Sequence, residues 1–454
     1  MQKAMSNQFY IKDLVSKVVD NRGRSPEYSP QKTEYPIIEV DSIRGDRAYP
    51  VEDKLTKYVS KKTYETWFRG GHPQMNDLLI STVGSGNIGE VALFKGKGCI
   101  AQNLIGLRFK SDLIDSRFIY YLLSSKKYKS MLINLDIGSA QPSIKVPHIL
   151  NCQIILPEKS HQVFAASFLN KLDNKIELNQ KTNQTLEEIA KAIFKSWFVD
   201  FDPVRAKAEG RSAGLPPEIS DLFPDELVDS EIGETPKGWD ITSLSECAVE
   251  IESGRRPKGG IDKSLSQGIP SVGAESVAPA GEFDFSKVKY VSTDFAEKMT
   301  KGRVQNFDVA IYKDGAGLES INPKVAIWGE HFPFSDFFVN EHVFLLRSQV
   351  LGQPFLYHLV SSRGFWMQLS VKGTAKSAQP GLNQTEVTES TFIRPSKFLI
   401  TAFNTAIQPL LERQFLLGKE IEVLSELRDL LLPKLISGEL RIPDAEKFLE
   451  EAGI

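Results

Sequence analysis

Hydrophobic residues recur in alternating steps of four and three along two long stretches of the chain, residues 165–197 and 403–435. This heptad spacing places apolar side chains on one face of a helix and is typical of a coiled coil. The predicted seam positions are Ala165, Leu169, Leu172, Ile176, Asn179, Asn183, Leu186, Ala190, Ile193 and Trp197, and then Phe403, Ile407, Leu410, Gln414, Leu417, Ile421, Leu424, Arg428, Leu431 and Leu435. Because the seams agree in length and register, we expect the helices to pack against each other. Two separate helices, each packed on its own domain, are the alternative.

Three seam positions hold amide side chains: Asn179, Asn183 and Gln414. Polar residues in a seam weaken a coiled coil but fix its register and its partner. We therefore expect Asn179 and Asn183 to face Gln414 and to act as a pairing device. Each helix of about 40 residues would be roughly 60 Å long at 1.5 Å per residue.

Short β-branched and aromatic runs, separated by turn residues, precede each long helix and predict strands. In the first half these runs are residues 35–40, 77–83, 90–94 and 105–109, and residues 118–132 have a helical pattern. Each half of the chain therefore predicts a globular domain of strands and helices, followed by a long helix.

The two halves repeat each other at a shift of about 230–238 residues. Phe118-Ile-Tyr-Tyr-Leu-Leu-Ser-Ser aligns with Phe355-Leu-Tyr-His-Leu-Val-Ser-Ser, and Gln141-Pro142 aligns with Gln379-Pro380. The loop with Arg22 and Arg24 recurs as the loop with Arg255, Arg256 and Lys258. The period is far too long for a solenoid, so a whole domain and its helix have been duplicated.

We expect a mixed α/β (α+β) fold with a pseudo-two-fold internal repeat. Two long antiparallel coiled-coil helices would separate two globular domains. The expected boundaries are 1–157 for the first domain, 158–205 for the central helix, 206–237 for a linker rich in Pro, Gly and acidic residues, 238–396 for the second domain, and 397–454 for the C-terminal helix and tail.

The composition is that of an ordinary globular protein, with 41% hydrophobic and 25% charged residues among 454. No apolar run reaches the roughly 18–20 residues that a membrane span needs. The N-terminus has no apolar signal-peptide core. The scattered cysteines Cys99, Cys152 and Cys247 form neither a disulfide framework nor a metal-binding pair. We expect a cytoplasmic protein that does not enter a membrane.

The net charge of −3 hides a gradient, because residues 1–160 carry 23 Lys and Arg but 16 Asp and Glu. A basic first third on a mildly acidic chain is consistent with a local surface that faces a polyanion. Ordinary scatter of charge is the alternative.

Motifs of catalysis are weak or absent. Residues 84–89 match G-x-G-x-x-G, but a strand is predicted to follow, so we expect a glycine hairpin and not a dinucleotide site. Asp46 with residues 52–54 only loosely resembles a nuclease acid cluster. There is no methyltransferase motif, no P-loop and no histidine spacing for zinc, and we expect His342 and His358 to be hydrogen-bonded, partly buried residues. We expect no catalysis, no metal and no cofactor.

The order of domain, helix, linker, domain and helix resembles the specificity subunit of type I restriction-modification systems, over essentially the whole chain. The most specific segments are residues 77–89, 138–144, 223–239 and 430–440. The chain departs from the family where a Pro-Pro-Leu-x-Glu-Gln stretch often starts each helix, since it has Leu156-Pro-Glu-Lys-Ser-His-Gln162 and Arg394-Pro-Ser-Lys. The second half also replaces the glycine loop with residues 313–321, which affects loop geometry and not the architecture.

The resemblance implies that each globular domain is a target-recognition domain that reads one half of a split DNA site. The paired helices would be a spacer and a docking surface for methyltransferase subunits, and the subunit would have no catalysis of its own. The implied partners are double-stranded DNA, two methyltransferase subunits and, through the complex, restriction subunits. Because the loops of the two domains differ, the two half-sites should differ in sequence.

Basic and polar side chains of the predicted loops are the candidates for DNA contact, since Arg and Lys bind phosphates and Arg can bind guanine through two hydrogen bonds. The candidates are Arg22, Arg24, Lys54, Lys57, Lys61, Lys62, Ser85, Asn87, Ser139, Gln141, Arg255, Arg256, Lys258, Lys313, Lys376 and Gln379. Solvated surface is the alternative for the lysine run. For the whole chain, the alternatives are a coiled-coil scaffold that binds no DNA and a self-sufficient DNA methyltransferase or nuclease.

Overall fold

The computed structural model describes residues 7–45, 47–84, 88–137, 142–231, 233–261, 265, 267–314, 324–375 and 381–440. The chain divides into two compact units. The first comprises the residues up to Lys175 and those from Leu424 onward, and the second comprises Ile176–Val423. Each unit contains one globular domain and part of each long helix.

Strands and helices alternate along the first domain. The strands are β1 (Asn7–Tyr10), β2 (Val15–Asp20), β3 (Ile37–Ile38), β4 (Leu78–Ser81), β5 (Val91–Leu93), β6 (Cys99–Ile100), β7 (Leu104–Phe109) and β8 (Gln153–Leu156). The helices are α1 (Ile11–Leu14), α2 (Val40–Ile43), α3 (Lys61–Thr66), α4 (Ser116–Ser124), α5 (Lys126–Ile133) and α6 (Val146–Leu150), followed by the long helix α7 (Lys159–Phe198).

The rest of the chain repeats this order after a connecting region. The helices are α8 (Asp202–Ala208), α9 (Pro217–Ser220), α10 (Thr293–Glu297), α11 (Gln353–Ser361), α12 (Arg363–Thr374), α13 (Gln384–Thr388) and the long helix α14 (Lys397–Ser437). The strands are β9 (Leu227–Ser230), β10 (Gly233–Pro236), β11 (Asp240–Ser243), β12 (Glu250–Ser253), β13 (Ile269–Val272), β14 (Lys289–Val291), β15 (Asp308–Tyr312), β16 (Val325–Trp328), β17 (Phe338–Val339), β18 (Val343–Arg347) and β19 (Thr391–Arg394).

The two domains share one sheet topology. The main sheet of the first domain has the antiparallel order β2-β7-β4-β5, and that of the second has the antiparallel order β12-β18-β15-β16. Each domain also has a parallel pair, β3 with β6 or β13 with β17, and an antiparallel pair, β1 with β8 or β11 with β19. The predicted duplication and the predicted mixed α/β fold are confirmed.

Some elements differ from the prediction. The helix predicted over residues 118–132 is two helices, because Ser125 has an extended backbone (φ −61°, ψ 146°) that ends α4 and starts α5. The strand predicted over residues 35–40 is the two-residue β3, and α2 follows it at once. The connecting region holds α9 and the β9–β10 hairpin, and its Phe223 is buried against Trp197. The strand predicted after the glycine loop is confirmed, because β5 pairs antiparallel with β4. Residues 85–87 of that loop lie outside the described residues.

A buried ion pair occurs at the same place in both main sheets. Arg108 on β7 donates from Nε and Nη2 to the Asp77 carboxylate (3.0 and 2.8 Å), and Arg347 on β18 donates from Nε to Asp308 Oδ1 (2.6 Å). Each aspartate also accepts the backbone N–H of the glutamine three residues before it. Burial raises the pKa of Asp308, although the hydrogen bonds from Arg347 oppose this shift. Both aspartates are almost inaccessible to solvent, so the pairs join the two central strands at one end of each sheet.

Helix α7 packs antiparallel to α14 in the first unit. The His161 ring Nε2 lies 2.7 Å from the backbone oxygen of Leu435, and Arg428 Nη1 donates to Asp173 Oδ1 (3.2 Å). The domain joins this contact, because the Tyr121 hydroxyl on α4 donates to Asp173 Oδ2 (2.6 Å). The seam position of Arg428 is therefore occupied by an ion pair rather than by an apolar contact.

The same helices also pack antiparallel in the second unit. Gln414 Nε2 donates to the backbone oxygen of Asn183 (3.3 Å), and the rings of Phe194 and Phe403 lie 5.6 Å apart between centroids. In both units the α14 partner number falls as the α7 number rises, which confirms the predicted antiparallel direction.

The buried face of each helix is wider than the predicted seam, which has two positions in each heptad. Phe194 and Phe198 on α7, and Leu411 and Phe415 on α14, are buried although the seam pattern did not include them. In the second unit they belong to the core of the globular domain, and Phe415 packs against Phe332. Mutual packing and packing on a domain, which the sequence presented as alternatives, therefore occur together.

The buried amides contact the second domain as well as the facing helix. Asn183 Nδ2 donates to the Gly281 backbone oxygen (3.2 Å), and Gln414 Nε2 donates to Ala280 O (3.3 Å) and Glu187 Oε2 (3.4 Å). Gly281 has a φ of +73°, and a Cβ there would lie 2.4 Å from the Gln414 backbone oxygen. The amide side chains thus bond to main chain and to a carboxylate, and Gln414 faces Asn183 through the Asn183 backbone oxygen. A pairing role for Asn179 stays a prediction.

His358 differs from its expectation as a hydrogen-bonded, partly buried residue. It is 2% exposed, and neither ring nitrogen has a hydrogen-bond partner in the part of the chain that the structure describes. Its ring lies among the rings of Phe194 and Phe403. Burial lowers the pKa of His358 to about 4, although Glu187 nearby opposes the shift. His358 therefore lies in an apolar environment and stays neutral near neutral pH.

Loss of the central ion pair should destabilise the second domain. Asp308→Ala leaves the Arg347 guanidinium mostly buried with one carboxylate partner fewer, and we expect a loss of about 3 kcal/mol in the free energy of unfolding. Urea unfolding followed by tryptophan fluorescence measures it, because Trp328 pairs with Asp308 across β15 and β16. The control is Asp336→Ala, which breaks the exposed pair with Arg303 and should cost less than about 1 kcal/mol. Equal shifts for the two variants would contradict the assignment.

The buried histidine should make stability depend on pH. The folded pKa of about 4 lies below the ordinary value of 6.5, so the unfolded chain binds the proton first as pH falls. The free energy of unfolding should decrease between about pH 6.5 and pH 4, by at most about 3 kcal/mol. Urea midpoints measured across this range should fall less steeply for His358→Leu than for the parent chain. The exposed His331→Gln is the control, and parallel curves for parent and His358→Leu would refute the prediction.

Candidate nucleic-acid interface

Three segments of the first domain meet at one end of the main sheet. We call them the first loop cluster: residues 20–24 after β2, residues 82–84 after β4, and residues 142–144 before α6. Thr82 O accepts the backbone N–H of Ile144 (2.8 Å), and Gly84 N–H donates to Pro142 O (3.2 Å). The predicted glycine loop and the Gln-Pro segment, far apart in sequence, are therefore neighbours.

Arg22 lies at the centre of this cluster. Its guanidinium donates from Nε and Nη2 to Asp20 (2.9 and 2.8 Å), and Nη1 lies 3.3 Å from Thr82 Oγ1 and 3.5 Å from Ile144 O. The hydrogen bonds from Arg22 hold the pKa of Asp20 below its usual value. Neither Asp20 nor Thr82 was among the predicted site residues.

The other described candidates of the first domain differ in their surroundings. Arg24 is exposed, two residues beyond Arg22. Lys57 forms an ion pair with Glu39 (2.7 Å), and Lys61 lies 3.9 Å from Glu65 on α3. Lys54 and Lys62 are exposed in the segments that contain these pairs. The four lysines thus lie outside the first loop cluster.

The second domain has a second loop cluster at the equivalent end of its sheet. We define it as residues 253–258 after β12, residues 313–314 after β15, residues 340–342 after β17, and residues 381–382. Leu382 N–H donates to Lys313 O (2.8 Å), as Ile144 donates to Thr82 in the first domain. His342 Nδ1 lies 2.6 Å from Asp314 Oδ2, so His342 is hydrogen-bonded and partly buried as expected.

The register of the sheets aligns Arg22 with Arg255. In each domain, the residue after the buried aspartate pairs with a residue of the neighbouring strand, and that residue pairs in turn with the strand on its other side. Val18 in the first domain and Ile251 in the second occupy this last position, so they are equivalent. Arg255 is exposed, and no acceptor for it is described. The neighbouring Arg256 lies 2.7 Å from Glu341, and the Lys313 ammonium lies 4.9 Å from the centre of the Phe344 ring. Lys258 is exposed in the same loop.

Several candidates fall outside the described residues. They are Ser85, Asn87, Ser139, Gln141, Lys376 and Gln379, together with Asp46 of the loose acid cluster. Gly84, which precedes Ser85 and Asn87, and Pro142, which follows Ser139 and Gln141, lie in the first loop cluster. Gly381, which follows Lys376 and Gln379, lies in the second loop cluster.

In the described part of the chain, no group of three or more His, Cys, Asp or Glu side chains could hold a metal ion. Its helices include none that is long and apolar enough to cross a membrane. What the two clusters offer is a set of positively charged and hydrogen-bonding side chains at the ends of rigid sheets.

Comparisons with known proteins agree with the fold. Residues 6–188 match the family model described as the type I restriction modification DNA specificity domain. The chain is 29% identical over 408 residues to the type I restriction enzyme MjaIX specificity subunit of Methanocaldococcus jannaschii, covering 88% of this chain and 83% of that protein. It is 26% identical over 373 residues to the type I restriction enzyme HindI specificity subunit of Haemophilus influenzae, covering 73% and 78%.

A solved structure shares the fold. The S subunit of a type I restriction-modification system from M. genitalium aligns over 96% of this chain and 97% of its own, with a TM-score of 0.59 at 16% identity. The architecture is thus that of a protein with two β-sheet domains and two long packed helices.

The chain belongs to the specificity subunits of type I restriction-modification systems. It is the DNA specificity subunit of such a system, and within the complex this subunit is non-catalytic.

Arg255 should contribute more to DNA binding than its neighbour Arg256. Arg255→Gln removes an exposed guanidinium that has no partner among the described residues. We expect a loss of roughly 1–3 kcal/mol in binding if it contacts a base edge. Arg256→Gln is the matched control, because Arg256 already lies against Glu341. The assay is fluorescence anisotropy of the complex with methyltransferase on its target. Equal losses for the two variants would show that exposure does not identify the contact.

Proposed function

We propose that the chain recognises a bipartite, asymmetric target in double-stranded DNA, with each globular domain reading one half-site. The observation that supports this most is that the two loop clusters share a topology but not their side chains. Asp20 and Thr82 of the first cluster correspond to Ser253 and Lys313 of the second, and the second alone pairs His342 with Asp314. The same frame therefore presents different donors and acceptors to each half-site.

The proposed recognition domains are residues 1–157 and 238–396. Residues 158–205 and 397–454 would supply the central and C-terminal helices with their flanks, and 206–237 the linker. The proposed DNA contacts are the exposed cations Arg24, Arg255 and Lys258, with Lys54 and Lys62 as phosphate contacts. The candidates outside the described residues extend the two clusters.

We also propose that the long helices carry two methyltransferase subunits and, through them, restriction subunits. In the second unit, α7 exposes Leu178 and Ile189, and α14 exposes Leu416 and Val423. Leu178 and Leu416 are equivalent at the repeat shift of 238, so each helix exposes a leucine at the same position of the repeat. Exposed apolar groups on one helix face are a common feature of protein interaction sites. The cytoplasm is the proposed compartment.

Exchange of one recognition domain tests the assignment of half-sites. Replacing residues 1–157 by those of another family member should change the first half-site and leave the second unchanged. The incoming domain should keep a tyrosine at position 121, because its hydroxyl bonds to Asp173 on α7. The readout is methylation profiling of a library with randomised sites, in the presence of the methyltransferase subunits.

The matched control exchanges residues 238–396 and keeps residues 279–282 and Tyr357, which contact the helices. It should change only the other half-site. If either exchange altered both half-sites together, independent reading would be wrong. If the chain with its methyltransferase caused no mobility shift of any DNA, the proposed function itself would fail, and a coiled-coil scaffold would be the better description.

A further inference from the structure

We infer that Arg22 is a positioning residue of the first recognition domain and not a DNA contact, whereas its counterpart Arg255 in the second domain contacts DNA directly. This inference rests on the proposed function. It predicts that the two half-sites are read by different means at equivalent positions of the duplicated frame.

The hydrogen bonds of Arg22 leave no edge for a base. A guanidinium has five N–H donors, and it grips guanine with two donors on one edge. The Nε and Nη2 edge is occupied by Asp20, and Nη1 faces both Thr82 Oγ1 and Ile144 O. Four of the five donors therefore have intramolecular acceptors, and neither edge keeps two free donors for guanine.

Charge supports the same conclusion. Asp20 neutralises the Arg22 guanidinium at 2.8 Å, and the pair is only partly exposed, with 24% of the Arg22 side chain accessible. A neutral pair at the sheet end attracts phosphate little. The exposed Arg24 is the nearest unpaired guanidinium in that loop.

Arg22 instead bonds the three segments of the first loop cluster to one another. Asp20 ends β2, Thr82 follows β4, and Ile144 precedes α6. The predicted contacts Ser85 and Asn87 follow Thr82 within five residues, and Gln141 precedes Ile144 by three. Arg22 therefore holds Thr82 and Ile144, the two residues next to the segments that contain these candidate contacts.

The second domain has neither the carboxylate nor the threonine hydroxyl that hold Arg22. Ser253 stands at the position of Asp20, and the cationic Lys313 stands at that of Thr82. Arg255 is exposed, and no carboxylate of the described residues pairs with it. An arginine thus stands at the same sheet position in both domains. Among the described residues it is paired in the first domain only.

The test compares Asp20→Asn, Arg22→Gln, Arg22→Lys and the double variant Asp20→Asn/Arg22→Gln, each in complex with methyltransferase. Dissociation constants are measured on the target, on first half-site mismatches and on unrelated DNA, over a range of salt. A positioning role predicts that each single variant loses roughly tenfold of its discrimination against first half-site mismatches. Affinity for unrelated DNA and the salt dependence should stay unchanged, and the double variant should be no worse than either single one.

Asp20→Asn decides most sharply between the two roles. If Arg22 contacted DNA, removal of the neighbouring acid would free the guanidinium, and binding would tighten while discrimination was retained. That result would overturn the inference. The inference would also be overturned by an Arg22→Gln variant that weakens all DNA binding and lowers the salt slope by about one, as loss of a phosphate contact does. Arg22→Lys keeps the charge but not the two-pronged geometry, so it should resemble Arg22→Gln. Retention of full discrimination by Arg22→Lys would contradict us.

Arg255→Gln is the matched variant. It should weaken binding and either lower the salt slope by about one or relax a single base pair of the second half-site. Unchanged second half-site discrimination in the Asp20 and Arg22 variants shows that they are folded. If the parent complex discriminated no site at all, the proposed function would fail, which is distinct from failure of the positioning role.

Discussion

The apolar faces of two helices of 40 and 41 residues cannot stay in water, and this constraint organises the chain. In each unit the helices bury these faces against each other in antiparallel order and against the globular domain of that unit. The aromatic cluster around Phe194, Phe198 and Phe403 shows this double use, because Phe355 of the second domain packs on all three rings. A recognition domain is therefore part of the same core as the helices that carry it.

Duplication gives this arrangement a fixed frame with variable loops. The buried Asp–Arg pairs and the sheet order are the same in both domains, since a change there would leave a buried charge unpaired. The loop residues face solvent and can differ at little cost in stability. Arg22 and Arg255 show the consequence, because Arg22 is held by Asp20, Thr82 and Ile144 whereas Arg255 is exposed.

The heptad spacing and the repeat were sufficient to predict the long helices, their direction and the duplicated domains. Other features needed the fold. The pairing of Asp77 with Arg108 joins residues 31 positions apart, and no local pattern indicates it. The role of Arg22 depends on Asp20 at the end of β2. The Asp-x-Arg spacing is present in the sequence but does not by itself predict this role, because only the folded strand end places both side chains on the same side. A repeated signal, Lys57-Tyr-Val-Ser60 and Lys289-Tyr-Val-Ser292, would have aligned the domains more closely.

We propose that one chain, with two copies of one domain that carry different loop side chains, specifies one split DNA sequence. The most direct measurement is methylome sequencing of a host that carries this chain and its methyltransferase subunits, against the same host with the methyltransferase alone. We expect one new methylated motif made of two unlike half-sites separated by a gap of fixed length. A continuous motif, two identical half-sites or the same methylation without the chain would contradict it.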